Sequence, residues 1–222
     1  MVPFPGRPNF VVRPLPGDHF PAERPDVWAA VEPLLITSYL WLKNGYEPRV
    51  EIRLGYTHDF LYVSFRVRER RVRASFTRFQ DPVYKDSCVE FFVDGFPEKS
   101  RGYLNIEANA LGTMLIAFGR DRHDRRPLSV GEVAGLEVRP SLAAPVDGDI
   151  GADGWALDYR LPTGLFEGLF GVRLGPGIRA AANFYKCGDA TEIPHYGAWS
   201  PVGTPTPDFH QPEYFGTLEF GA

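Results

Sequence analysis

An antiparallel β-sandwich of about ten strands, immunoglobulin- or jelly-roll-like, is the fold the sequence predicts. Three observations predict it. Twenty-three glycines and 21 prolines make up about a fifth of the 222 residues, which breaks long helices and supplies turns. Seventeen Phe and ten Tyr against two Met suit pleated surfaces. Short runs of alternating apolar and polar residues recur at regular spacing, with no helices between them to make parallel crossovers.

Residues 1–34 read as an extended, proline-rich arm packing on the domain, and residues 35–222 as the sandwich. Trp28 to Leu35 suits one or two helical turns after Asp26 as cap, stopped at Pro33. Val50, Ile52 and Leu54 alternate with Glu51 and Arg53, then Leu61, Val63, Phe65 and Val67 alternate with polar residues. The turn-like Thr57-His58-Asp59 between them makes a β-hairpin. Further strands are expected at Val72–Thr77, Cys88–Asp94, Tyr103–Asn109, Thr113–Phe118, Leu136–Leu142, Trp155–Leu161, Arg179–Lys186 and Thr217–Phe220. Only Gly164–Phe170 offers another helical turn.

The apolar fraction of 44% is enough for a sizeable core. Net charge is −4, so the basic excess of a nucleic-acid binder is absent, and the arginines of Arg66–Arg73 and Arg120–Arg126 read as solvated faces. No apolar run reaches the ~18 residues of a membrane helix. No secretory signal is visible from Met1 to Phe10, which gives a cytoplasmic expectation unless a signal had been removed. Cys88 and Cys187 are too few for a disulfide scaffold; they could pair, lie free in the core, or act as ligands.

Several side chains could recognise a ligand. Tyr103, Asn105, Glu107 and Asn109 share one strand face, a row of donors and acceptors suited to vicinal sugar hydroxyls, or simply a solvated face. Asn183 and Lys186 end a strand that leads to a loop holding His195, Tyr196 and Trp199. A flat ring there suits the C–H face of a pyranose, although Trp199 could equally plug the end of the sandwich. Trp41 is a candidate second platform, and Trp155 reads as core. Glu90 should be paired, with Arg53 or Arg66 as partner. Asp147, Asp149 and Asp153 on a glycine-rich loop are candidate calcium ligands, although their spacing is not that of an EF-hand. Hydrolase, P-loop, zincin and dinucleotide motifs are missing; Glu90 with Glu107 is a conceivable glycosidase pair, but nothing in the sequence sets their separation.

The segments Asp86–Asp94, Glu107–Gly112 and Trp155–Tyr159 resemble family 9 carbohydrate-binding modules and their DOMON-like relatives. Asn183–Asp189, His195–Pro201 and Phe209–Glu213 are similar to the standalone bacterial branch of that group. The resemblance spans roughly residues 35–220. It implies a sandwich that binds a mono- or oligosaccharide without catalysis, clamping a terminal sugar between two aromatic rings, with Trp199 and Trp41 as the candidate clamp. It also implies no cofactor beyond a structural calcium. The site it suggests is Trp199, Tyr196 and Trp41 for stacking, with Asn183, Lys186, Glu107, Asn109 and His195 for hydrogen bonds. The alternatives are a b-type haem or electron-transfer domain, for which only Met1 and Met114 supply methionine ligands, a hydrolase acting through Glu107 or Glu90, and an interaction module.

Overall fold

The computed structural model describes residues 6–99 and 101–222. Met1 and the first residues of the expected arm lie outside the described residues.

Two sheets face each other. The first runs in the order Arg125–Pro127, Met114–Gly119, Tyr103–Asn109, Cys88–Asp94, Arg179–Cys187, Gly216–Phe220 and Asn9–Pro14. The second holds Arg49–Tyr56, Phe60–Arg68, Trp155–Pro162 and Glu137–Pro140, with Leu34–Ile36 beside Arg49–Tyr56. Neighbours are antiparallel with one exception. Asn9–Pro14 runs parallel to Gly216–Phe220 through residues 9–12, then parallel to Arg49–Tyr56 through Arg13 and Pro14. The proline-rich segment therefore carries the strand that laces the two sheets together.

The alternation read from the sequence decides what fills the interior. Val89, Phe91 and Val93 and the facing Leu104, Ile106 and Ala108 point inward, against Val50, Ile52, Val63 and Phe65 of the other sheet. Phe91 and Phe184 stack with ring centroids 4.7 Å apart. Each such side chain contributes about 1.5–3 kcal/mol when fully buried. Met114 is packed in this same core.

Strands beyond those expected appear at Asn9–Pro14, Leu34–Ile36, Ser38–Tyr39, Arg125–Pro127, Val146–Asp149 and Tyr196–Ala198. The first helix spans Pro25–Ala29, earlier than the expected Trp28–Leu35, because Leu34 and Ile36 are drawn into the sheet beside Ile52 and Val50. The helix Thr163–Phe170 matches the expected turn and ends on Gly171 in the left-handed conformation, φ 72°.

The arginines of Arg66–Arg73 form a ladder with acids. Arg73 meets Asp147 at 2.8 Å, Arg70 meets Asp149 at 2.6 Å and Arg68 meets Asp153 at 3.5 Å. The three expected calcium ligands are thus spread along a ladder, and each faces a guanidinium that repels a cation. Glu90 likewise lacks the expected arginine: Arg66 bonds Asp158, and Arg53 bonds Glu51 and the Val31 carbonyl.

Candidate functional site

The outer face of the first sheet is not solvated. Cys88, Phe92, Tyr103, Tyr185 and Cys187 project from it and are covered by Ala198, Val202, Phe209 and Phe215, forming a second apolar cluster. The covering segment is held by Asn183, whose amide donates to the Ser200 carbonyl while its oxygen accepts from the Ser200 N–H. Where the cover stops, a cavity of about 460 Å³ opens over the strands, within the usual range for small-ligand sites.

Glu90, Glu107 and Cys187, from three adjacent strands, are among its lining residues. Trp41, Tyr84, Tyr196, Phe209 and His210 supply aromatic walls, and Arg122, Arg125, Asp189 and Asp208 supply charge. Trp41 meets Tyr196 edge-on at 5.7 Å and Phe209 at 5.5 Å. Its indole N–H donates to the Thr204 carbonyl at 2.7 Å. Trp41 sits at the apex of a tight turn closed by the Leu42 N–H on the Leu40 carbonyl, with φ 64°. A bulky residue in the left-handed region costs of order 1–3 kcal/mol, and such strain concentrates where a side chain must be presented to a ligand.

The other walls are fixed by hydrogen bonds and stacking. Tyr185 stacks on Phe209 at 4.0 Å and donates its hydroxyl to the Phe209 carbonyl. His210 Nδ1 lies 2.7 Å from the Tyr103 hydroxyl, and its ring tilts against Phe92. Burial, with Arg125 and Arg122 nearby, brings His210 down to about 3, so the ring is neutral.

The charges are arranged in pairs. Arg125 meets Glu107 at 3.3 Å and Arg122 meets Asp208 at 3.1 Å. Asn105 also donates to Glu107, at 3.0 Å. The Asn109 N–H bonds the Thr113 carbonyl, so Asn109 and, two residues before it, Glu107 turn their backbone bonds toward Met114–Gly119 and away from Cys88–Asp94. Alternation along the ladder then makes Glu90 and Glu107 a non-hydrogen-bonded facing pair, the closer kind. Burial and the Glu107 charge hold Glu90 far above the ordinary carboxylate range. Burial raises Glu107 to about 7, against the pull of Arg125.

This pair has a pH signature. An acid that holds its proton more tightly in the folded state stabilises the fold fully below its ordinary value near 4.5, and that contribution is lost as pH rises through about 7. The buried neutral histidines act in the opposite sense below their ordinary value, so the comparison must be made against Glu107→Gln, in which their effect cancels. The stability of the native chain relative to Glu107→Gln is expected to fall by about 3 kcal/mol between pH 5 and 8 in urea unfolding. A constant difference across that window would refute the assignment.

Of the residues proposed from sequence, Trp41, Tyr196 and Glu107 line the cavity. The others do not. Trp199 is in the core, edge-on to Phe184 at 5.9 Å. Asn183 fastens the covering segment. Asn109 bonds Asp86 and the Phe76 carbonyl at the end of its strand. Lys186 and His195 are buried at the end of the sandwich, where Lys186 Nζ lies 2.7 Å from His195 Nε2 and 3.2 Å from Glu69. None of the five is among the residues that line the cavity.

The missed residues are Arg122 and Arg125, read as a solvated basic run, and Tyr84, Asp189, Asp208, Phe209 and His210. Phe209 and His210 lie in a segment the sequence resemblance singled out. Strand parity held a further signal. Tyr196 and Trp199 are an odd number of positions apart, as are Asn183 and Lys186, so neither pair could share a sheet face.

The model of carbohydrate-binding family 9 matches residues 28–220. A protein from Bacteroides uniformis proposed to be carbohydrate-binding superposes with a TM-score of 0.85 and 30% identity, over 97% of this chain and 100% of that one. A family 9 carbohydrate-binding module from Caldicellulosiruptor kristjanssonii, solved with cellotriose, gives 0.67 and 14% over 96% and 94% of the two chains. The structure of a family 9 module from that organism with glucose gives 0.65 and 14%, over 97% of each chain. None of the curated proteins matches. Among the described residues no helix is long and apolar enough to cross a membrane.

Proposed function

We propose, from the premise that the chain belongs to carbohydrate-binding family 9, that its cavity binds a neutral mono- or oligosaccharide without transforming it. The observation that carries this reading is the convergence of the Trp41–Tyr196–Phe209 wall and two carboxylate–guanidinium pairs on one cavity. Flat rings accept the C–H face of a sugar, and paired carboxylates and guanidiniums both accept from and donate to vicinal hydroxyls. The pairs Arg125–Glu107 and Arg122–Asp208 neutralise one another, which favours an uncharged ligand. The Caldicellulosiruptor structures holding glucose and cellotriose make glucose and its β-linked oligomers the first sugars to try.

The acid pair supports binding rather than hydrolysis. A glycosidase places its two carboxyl groups on either side of the bond it cleaves. Glu90 and Glu107 stand side by side on neighbouring strands and on one face of the sheet.

Calorimetric titration with glucose, cellobiose, cellotriose and a wider panel of neutral sugars tests the reading. One site of modest affinity is expected, because ordering and association costs absorb much of the contact energy. Silence across the panel, or release of sugar from an aryl glycoside by the purified chain, would overturn it.

A further inference from the structure

Three buried side chains meet beside the cavity on the outer face of the first sheet. Cys88 and Glu90 are two residues apart on one strand and so share its outer face, and Cys187 is the register partner of Cys88 on the next strand. The two sulfurs and a carboxylate oxygen lie within 4.8 Å of one another. The Cys187 thiol donates to Glu90 Oε1 at 3.1 Å, and both cysteines are free. All three residues are buried, yet Glu90 and Cys187 line the cavity, so the cluster has one open side.

Two thiolates and a carboxylate are a donor set suited to a borderline-soft divalent cation, and three protein ligands with an open position is a common arrangement for zinc. The ligands sit on paired strands, which hold them in place without loop ordering. We propose that Cys88, Glu90 and Cys187 bind one zinc-like divalent cation whose remaining position faces the cavity. Binding exchanges protons for metal bonds. Each S–H and the carboxyl O–H gives its proton to solvent as a sulfur–metal or oxygen–metal bond forms, with no change of oxidation state. The cation's two positive charges meet three negative ligands, which leaves one negative charge at the site. Affinity therefore rises with pH, since protons and metal compete for the same atoms.

The test uses the reduced, metal-stripped full chain and Cd²⁺, whose bonds to thiolate absorb in the ultraviolet. One equivalent is expected to develop that absorption, Zn²⁺ to displace it, Cys88→Ser and Cys187→Ser to abolish it, and Glu90→Gln to weaken uptake at least tenfold. X-ray absorption on the zinc-loaded native chain keeps the proposal testable where the serine variants fail to fold. It should show two sulfur ligands at about 2.3 Å and oxygen near 2.0 Å. Absence of stoichiometric uptake by the reduced chain, or a zinc shell without sulfur, would overturn the proposal. So would two sulfurs recovered only as a disulfide, the other bond their register allows. No sugar enters the measurement, so its failure leaves the carbohydrate reading untouched.

Discussion

Trp41→Ala is expected to weaken saccharide binding at least tenfold, with full loss of detectable heat for a monosaccharide. The indole is partly buried, held by its N–H on the Thr204 carbonyl and by ring contacts to Tyr196 and Phe209. Truncation removes a flat apolar face and opens the wall to water, and aromatic anchors of this kind typically carry about 2 kcal/mol or more of a binding energy. Trp41→Phe keeps a ring and should recover part of the affinity. Trp199→Ala supplies the contrast: its ring is in the core, so that variant loses thermal stability first. Calorimetry beside thermal unfolding separates the two. If Trp41→Ala binds as the native chain does, the aromatic wall is not the sugar platform.

The second large effect concerns stability. Lys186→Met is expected to cost about 3–5 kcal/mol of unfolding free energy, a large share of the 5–15 kcal/mol usual for a domain. Lys186 Nζ lies 3.2 Å from Glu69, donates to the Cys187 carbonyl at 2.9 Å and to His195 Nε2 at 2.7 Å, and sits over the Trp155 ring. His195 accepts that bond while its Nδ1–H points to the Ile193 carbonyl. Burial first, and Lys186 second, bring His195 down to about 3, so its 3.6 Å approach to Glu69 is not an ion pair. Removing the ammonium leaves the Glu69 carboxylate buried with the Trp155 N–H, at 2.9 Å, as its remaining partner. Adding Glu69→Leu to Lys186→Met should restore most of the loss, because a pair replaced whole by apolar side chains leaves no uncompensated charge. Urea unfolding of the two single variants and the double variant checks this. A single-variant loss under about 1 kcal/mol, or a double variant no better than the single, would contradict it.

Much of the scaffold was legible because the period-two pattern is strong where one face is core. Val50 to Leu54, Leu61 to Val67 and Leu104 to Ala108 announce their inward faces, and all three lie in the core. The same pattern put Tyr103, Asn105, Glu107 and Asn109 together on the other face, but it carries no information about what covers that face. The cover is a long-range event, made by residues 196–215 folding back over strands a hundred positions earlier. Hence Glu107 is legible as part of that face and Arg125 is not: the guanidinium reaches the cavity through a short edge strand, Arg125–Pro127, too brief to show periodicity. Trp199 and Lys186 turn inward for a local reason. Lys186 continues the inward parity of Ala182 and Phe184 along its strand, and Trp199 packs edge-on against Phe184.

The lacing strand bears on how the chain can be built. Asn9–Val12 lie against Thr217–Phe220, some two hundred positions away, while Arg13 and Pro14 touch Gly55 and Tyr56. During synthesis the second sheet can start from its hairpin early, but the seam between the sheets stays open until residue 220 has emerged. For that interval the nascent chain displays a raw strand edge, the kind of surface to which chaperones attach and along which neighbouring copies stick.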